Sequence, residues 1–164
     1  MSADAIVNLG RTSWDIIKDG VATPDGDLTA NAVPQVDDWH SLSGTLGPNV
    51  HRLHYFVRKA SPFEDKFQVE FDIEIKWQFG ARYKGGGAYI PNLWVEVPAC
   101  SVAWLWHVDI RMSVHPPVNS AGEGKPPNAC IPFTIKGEVG SPVVSRHVEW
   151  GFEVYGNGEI NGPW

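Results

Sequence analysis

Glu70, Asp72 and Glu74 occupy alternating positions in one segment of the chain. In a β-strand such positions share a face, with neighbouring carboxylates roughly 6.5–7 Å apart. That separation suits an inverting glycosidase, whose acid and base must admit a water between them. The charged pattern also includes Lys66 and Lys76, and a mixed-charge face is what any strand with one side in water displays. The expectation is a solvated face, not a catalytic pair.

Six histidines offer metal chemistry: His40, His51, His54, His107, His115 and His147. A zinc site needs three or four ligands converging. His51 and His54 are three apart, which on a strand turns them to opposite faces. His107 and His147 lie on the polar phases of two long strands and could meet only across a strand pair. No His-x-x-x-His or Cys-x-x-Cys spacing occurs. Cys100 and Cys130 each precede an apolar run. If those runs pair as antiparallel neighbours, the two thiols lie at opposite ends of the sheet, beyond the reach of a disulfide. Both are expected to be reduced. A Gly-x-x-x-x-Gly-Lys phosphate loop, a nucleophile motif and a complete calcium loop are absent, and Asp25-Gly26-Asp27 reads as a turn. The chain is therefore expected to be no enzyme and to need no cofactor or metal.

Aromatic residues carry more information. Trp77, Trp104, Trp106 and Trp150 fall in the apolar phase of their strands, as core residues should. Phe56, Trp94 and Tyr155 fall in the polar phase, as does Leu105. Tyr83, Tyr89, Trp39 and Trp164 sit in loops or at strand ends. Amphipathic rings at such places are used to stack on sugars or to sit among lipid headgroups. Phe56, Tyr83, Tyr89, Trp94, Tyr155 and Trp39 are therefore the expected binding residues, for lipid headgroups or for a glycan. Coverage by another segment or burial in a homo-oligomer interface would explain the same pattern.

The elements that must position these residues are strands. Phe67, Val69, Phe71, Ile73, Ile75, Trp77 and Phe79 alternate with charged and polar residues from 66 to 79 without a break. Further alternating rows run over His51–Lys59, Leu93–Val97, Val102–Val114, Ile131–Val139 and Val144–Val154. Six to eight antiparallel strands without intervening helices predict an all-β, two-sheet sandwich, with a closed barrel as the alternative. The inner faces should carry Phe67, Phe71, Ile73, Ile75, Trp104, Trp106, Val108, Phe133, Ile135, Val148, Trp150 and Phe152. Thr12 as N-cap, Asp15 three residues on and Gly20 as C′ predict one short helix. Residues 21–49 lose periodicity and are expected to form a long turn-rich excursion. In general shape, long amphipathic strands with an aromatic rim resemble small cytolysins and lectin-like sandwiches, which transfers no residue roles.

A length of 164 residues suits one domain, 1–164. The net charge of −6 comes without any basic cluster, which argues against nucleic acid and anionic membranes as electrostatic partners. Met1-Ser2-Ala3-Asp4 opens without a basic or apolar region, so no signal peptide is expected in this stretch. Strands of roughly 13 alternating residues are long enough to span a bilayer if rearranged into a barrel. That length tips the expectation towards a membrane partner over a glycan, with a structural or partner-binding role as the remaining alternative.

Overall fold

The computed structural model describes residues 5–10, 13–23, 29–35, 39–59, 63 and 66–164; the Trp39 side chain, Thr12 and the Asp25-Gly26-Asp27 turn lie outside that description. The described residues are mostly strand. In order these are β1 Ile6–Val7, β2 Ser13–Lys18, β3 Val21–Ala22, β4 Thr29–Pro34, β5 Leu42–Ser43, β6 Leu46–Arg58 and β7 Phe67–Phe79. There follow β8 Ala81–Tyr83, β9 Gly86–Val102, β10 His107–Val114, β11 Val118–Asn119, β12 Ala129–Ser141, β13 Val144–Tyr155 and β14 Ile160–Asn161. One 3-10 turn, Trp39–Ser41, precedes β5.

Two antiparallel sheets pack face to face. Sheet A runs β1-β4-β9-β7-β6, with β8 and β5 extending from β9, and sheet B runs β14-β13-β12-β10-β2-β3, with β11 beside β12. The expected sandwich is the fold, and neither sheet closes into a barrel. Phe71, Ile73, Ile75 and Trp77 of β7 face Phe133, Ile135 and Phe152 across a single core, which also takes in Val108, Ile110 and Met112 of β10. From Val69 to Trp77 the alternation of β7 thus divides the strand as its sequence dictates, with odd positions inward and Glu70, Asp72 and Glu74 outward.

Five expectations are corrected. Residues 13–18 form strand β2, not a helix, because Trp14 and Ile17 pair in register with Met112 and Ile110 of β10. Asp19-Gly20 is not a helix cap but a hairpin turn between β2 and β3, with φ of 52° and 76°. Positive φ at both central residues is the turn that follows the twist of a two-stranded ribbon, and Asp-Gly favours it. Residues 21–49 are no excursion, since they hold β3, β4, β5 and the start of β6. β4 escaped notice because Ala30 and Ala32, its buried residues beside β9, are too small to register as an apolar row.

Trp104 and Phe67 are not core residues. Val102–Val114 is two strands, parted by a turn over 103–106 in which Leu105 has φ of 67°. The turn holds an even number of residues, so the period of two passes through it undisturbed, and Trp104 sits at its tip, 87% exposed. Phe67 is turned out by a bulge, where Val57 and Arg58 of β6 oppose Val69 and Phe67 of β7. A bulge shifts the facing of a strand by one residue. Trp106, Val148 and Trp150 face inward but are only half-buried.

Candidate functional site

The outward face of β7 is neutralised from both sides. Arg52 of β6 donates to Glu74 at 2.8 Å, Lys76 reaches Glu74 at 3.0 Å and pairs with Glu96 of β9, and the Trp94 indole donates to Glu96 at 3.0 Å. Hydrogen bonds from Arg52, then Lys76, hold the Glu74 carboxyl below its ordinary range, and Lys76, then Trp94, does the same for Glu96. The Lys76 ammonium is correspondingly held above its own. Beside them His54 contacts Asp72 at 2.5 Å and Glu70 at 3.5 Å. This is an ion-pair ladder on a solvated face. His107 and His147 do not join each other; both flank Glu138, and His107 Nε2 lies 3.8 Å from its carboxylate. Among the described residues no group of three or more His, Cys, Asp or Glu side chains is placed to hold a metal ion.

Both thiols are free. Cys100 lies on β9 in sheet A and Cys130 on β12 in sheet B, at opposite ends of the sandwich. Burial, with a smaller push from the Glu153 charge, raises the Cys130 thiol from 9.0 to about 11. A shift of that size leaves about a hundredfold less thiolate at mildly alkaline pH. Alkylation of Cys130 in the folded protein should therefore run about a hundredfold below the unfolded chain, followed by mass spectrometry of the labelled peptide. Because the unfolded thiol ionises first, the same shift weakens folding as pH rises from 9.0 through about 11 and has no effect below. Thiol titration of the denatured, unreduced chain should count both cysteines.

The aromatics expected to form a binding face are dispersed. Tyr89 is a core residue, 3% exposed. Trp94 lies midway along the outside of sheet A within the ion-pair ladder. Tyr155 is half-buried on sheet B, its hydroxyl donating to Glu153 at 2.6 Å, which raises its pKa. Tyr83 is half-buried on β8, with the Lys84 ammonium 4.9 Å from its ring centre. Phe56 alone stands where exposed apolar residues gather.

That place is one end of the sandwich. Of thirteen exposed large apolar side chains among the described residues, eight lie there: Val21, Phe56, Phe63, Phe67, Trp104, Leu105, Val143 and Val144. They come from four connections that the registers bring side by side. Ala103 in the β9–β10 turn donates its N–H to Gln68 O at 2.8 Å, next to Phe67, and Gly20 of the β2–β3 turn donates to Val108 O at 3.0 Å. Gly140, before the β12–β13 turn, pairs with His107 at the start of β10. Lys59 N donates to Lys66 O at 3.1 Å, closing the base of the β6–β7 loop that carries Phe63.

Phe56 and Phe67 meet edge to face at 5.4 Å, and the Arg58 guanidinium lies 5.3 Å from each ring centre. Trp104 and Phe63, 87% and 93% exposed, project beyond this base. Alternation is silent about loop tips, but one local signal was available. Ser61-Pro62-Phe63 and Ser141-Pro142-Val143 each place an apolar residue directly after a turn-forming proline, where a loop has no core to bury it. No protein-family model, curated protein or solved structure matches the chain.

Proposed function

We propose that this protein is a non-enzymatic surface binder whose apolar end docks on the headgroup region of an uncharged lipid bilayer. The observation that supports the reading is the convergence of eight exposed apolar side chains, three of them aromatic rings of phenylalanine and one an indole, from four connections onto one end. Exposed apolar patches of this kind mark protein or membrane contacts, and tryptophan favours the bilayer interface. Burying one large apolar side chain is worth roughly 1.5–3 kcal/mol, so insertion of three contributes about 6 kcal/mol. That is the scale of reversible interfacial binding. Charge selects the lipid: Arg58, Lys59 and Lys66 at the base of the β6–β7 loop stand close in sequence to Glu64 and Asp65, and the whole chain carries −6. An anionic surface therefore adds nothing.

No helix among the described residues is long and apolar enough to cross a membrane, which leaves crossing by strands open. Sedimentation with neutral phosphatidylcholine vesicles tests the docking, and release of a trapped dye separates docking from insertion of strands as a barrel. Co-sedimentation should fall at least about tenfold in affinity in Trp104→Ala and stay unchanged in Trp94→Ala. Saturable binding on a glycan array without vesicle association would replace this reading with the glycan one, and silence in both assays would leave a structural or partner-binding role.

A further inference from the structure

Sheet A ends on β6, and along the same side of the sandwich the first half of β13 is an open edge of sheet B, since β14 covers only its far end. There Tyr55 meets Trp150 edge-on at 5.7 Å and His51 meets Phe152 at 5.6 Å. Among the described residues β6 has β7 as its one strand neighbour. β13 has β12 alone from Val144 to Trp150, since β14 and the Trp164 backbone reach only from Gly151 onward. Among the described residues the other outermost strands, β1, β3, β5, β11 and β14, have two residues each. A long edge strand carries a row of N–H and C=O groups directed away from its sheet and accepts another strand readily. The seam between the two edges is itself incompletely filled. His51, Leu53, Tyr55, Val148 and Trp150 face inward but remain half-exposed, whereas Phe71, Ile73 and Ile75 of β7 and Phe133 and Ile135 of β12 are buried.

We propose that two copies of the chain associate through this side about a two-fold axis parallel to the strands, so that β6 of each adds to β13 of the other. Direction and charge select this arrangement. β6 runs towards the apolar end and β13 away from it, so this axis sets them antiparallel, as are the ladders β6–β7 and β12–β13 that they would extend. The outer face of β6 presents Arg52, His54 and Arg58, while the open stretch of β13 presents Glu149 with His147 beside it. Pairing β6 with its own copy would oppose like charges and turn the two apolar ends in opposite directions.

The axis keeps each residue at its own height. The contacts of Trp150 with Tyr55 and of Phe152 with His51 bracket the height of β13 against β6, so Glu149 of one copy comes beside His54 and Phe56 of the other, with Arg52 and Arg58 to either side. Arg52 and Glu149 already hold partners, Glu74 at 2.8 Å and Lys136 at 3.5 Å, but both are themselves well exposed and can share a further charge. Both apolar ends then face the same plane, although the association does not rest on their docking to lipid.

Sedimentation velocity over a wide concentration range tests it. The unmodified chain should pass from monomer to dimer as concentration rises. Glu149→Arg should weaken the dimer about tenfold, Arg52→Glu similarly, and the double variant should regain most of the loss. Leu53→Lys, which places a charge in the seam, should abolish the dimer, with thermal melts checking that each variant folds. A chain that stays monomeric throughout, or a dimer indifferent to all of these changes, would overturn the proposal. So would a dimer lost only in Trp104→Ala, which would place the contact at the apolar end.

Discussion

Phe71→Ala should lower the stability of the protein by about 4 kcal/mol, read as a shift in the urea midpoint at unchanged slope. Phe71 is buried at the middle of β7, and its ring stacks on Tyr55 at 5.2 Å with 29° between the planes. Removing it forfeits the transfer energy of a whole ring and leaves a cavity between two sheets held apart by their other side chains, so the gap cannot close. The chemically similar change Phe56→Ala, on the exposed face of the adjacent strand, should cost less than about 1 kcal/mol. Equal losses at the two positions would mean that the assignment of faces is wrong.

Gly156→Ala should be nearly as damaging, at about 3 kcal/mol. At the end of the sandwich opposite the apolar tip, the two sheets are stitched through this residue. Its N–H donates to Ala129 O of β12 at 2.7 Å, and its carbonyl accepts from Gly80 N, between β7 and β8, at 2.7 Å. A methyl group on Gly156 would stand 2.5 Å from the carbonyl carbon of Ala88 in β9 and closer still to its oxygen. The obstruction is backbone, which cannot rotate aside as a side chain does. Relief requires the sheets to part and the bond from Gly80 N to the Gly156 carbonyl to lengthen. Gly85→Ala provides the contrast, since that residue has φ of 72° but open space around it. Its cost should be the left-handed backbone alone, about 1–2 kcal/mol. Thermal melts of the two variants should separate strain between sheets from strain within one turn.

The two ends of the sandwich differ in construction. The Gly156 end is closed by hydrogen bonds from sheet to sheet, including Ala88 N to Pro127 O at 2.8 Å. The apolar end carries four connections whose tips extend past the ladders.

Alternation in the sequence was sufficient for the all-β class, for the long strands and for most of the core. Period two is a property of each strand by itself, and burying one face demands apolar residues at every second position. Phe71, Ile73, Ile75, Val108, Phe133, Ile135 and Phe152 were legible for that reason. The separation of the two thiols followed from the same pattern once β10 and β12 were taken as neighbours. Tertiary structure decided everything that depends on where a strand ends and on what lies beside it. An even-numbered turn preserves phase, so Trp104 read as core until the chain was seen to change sheets there. A bulge against β6 turned Phe67 outward, and pairing with β10 made a strand of residues with helix-capping signals. The apolar end itself is assembled from residues as far apart in sequence as Val21 and Val144. Their meeting depends on strand order and register, and those are set by long-range pairing that no local pattern encodes.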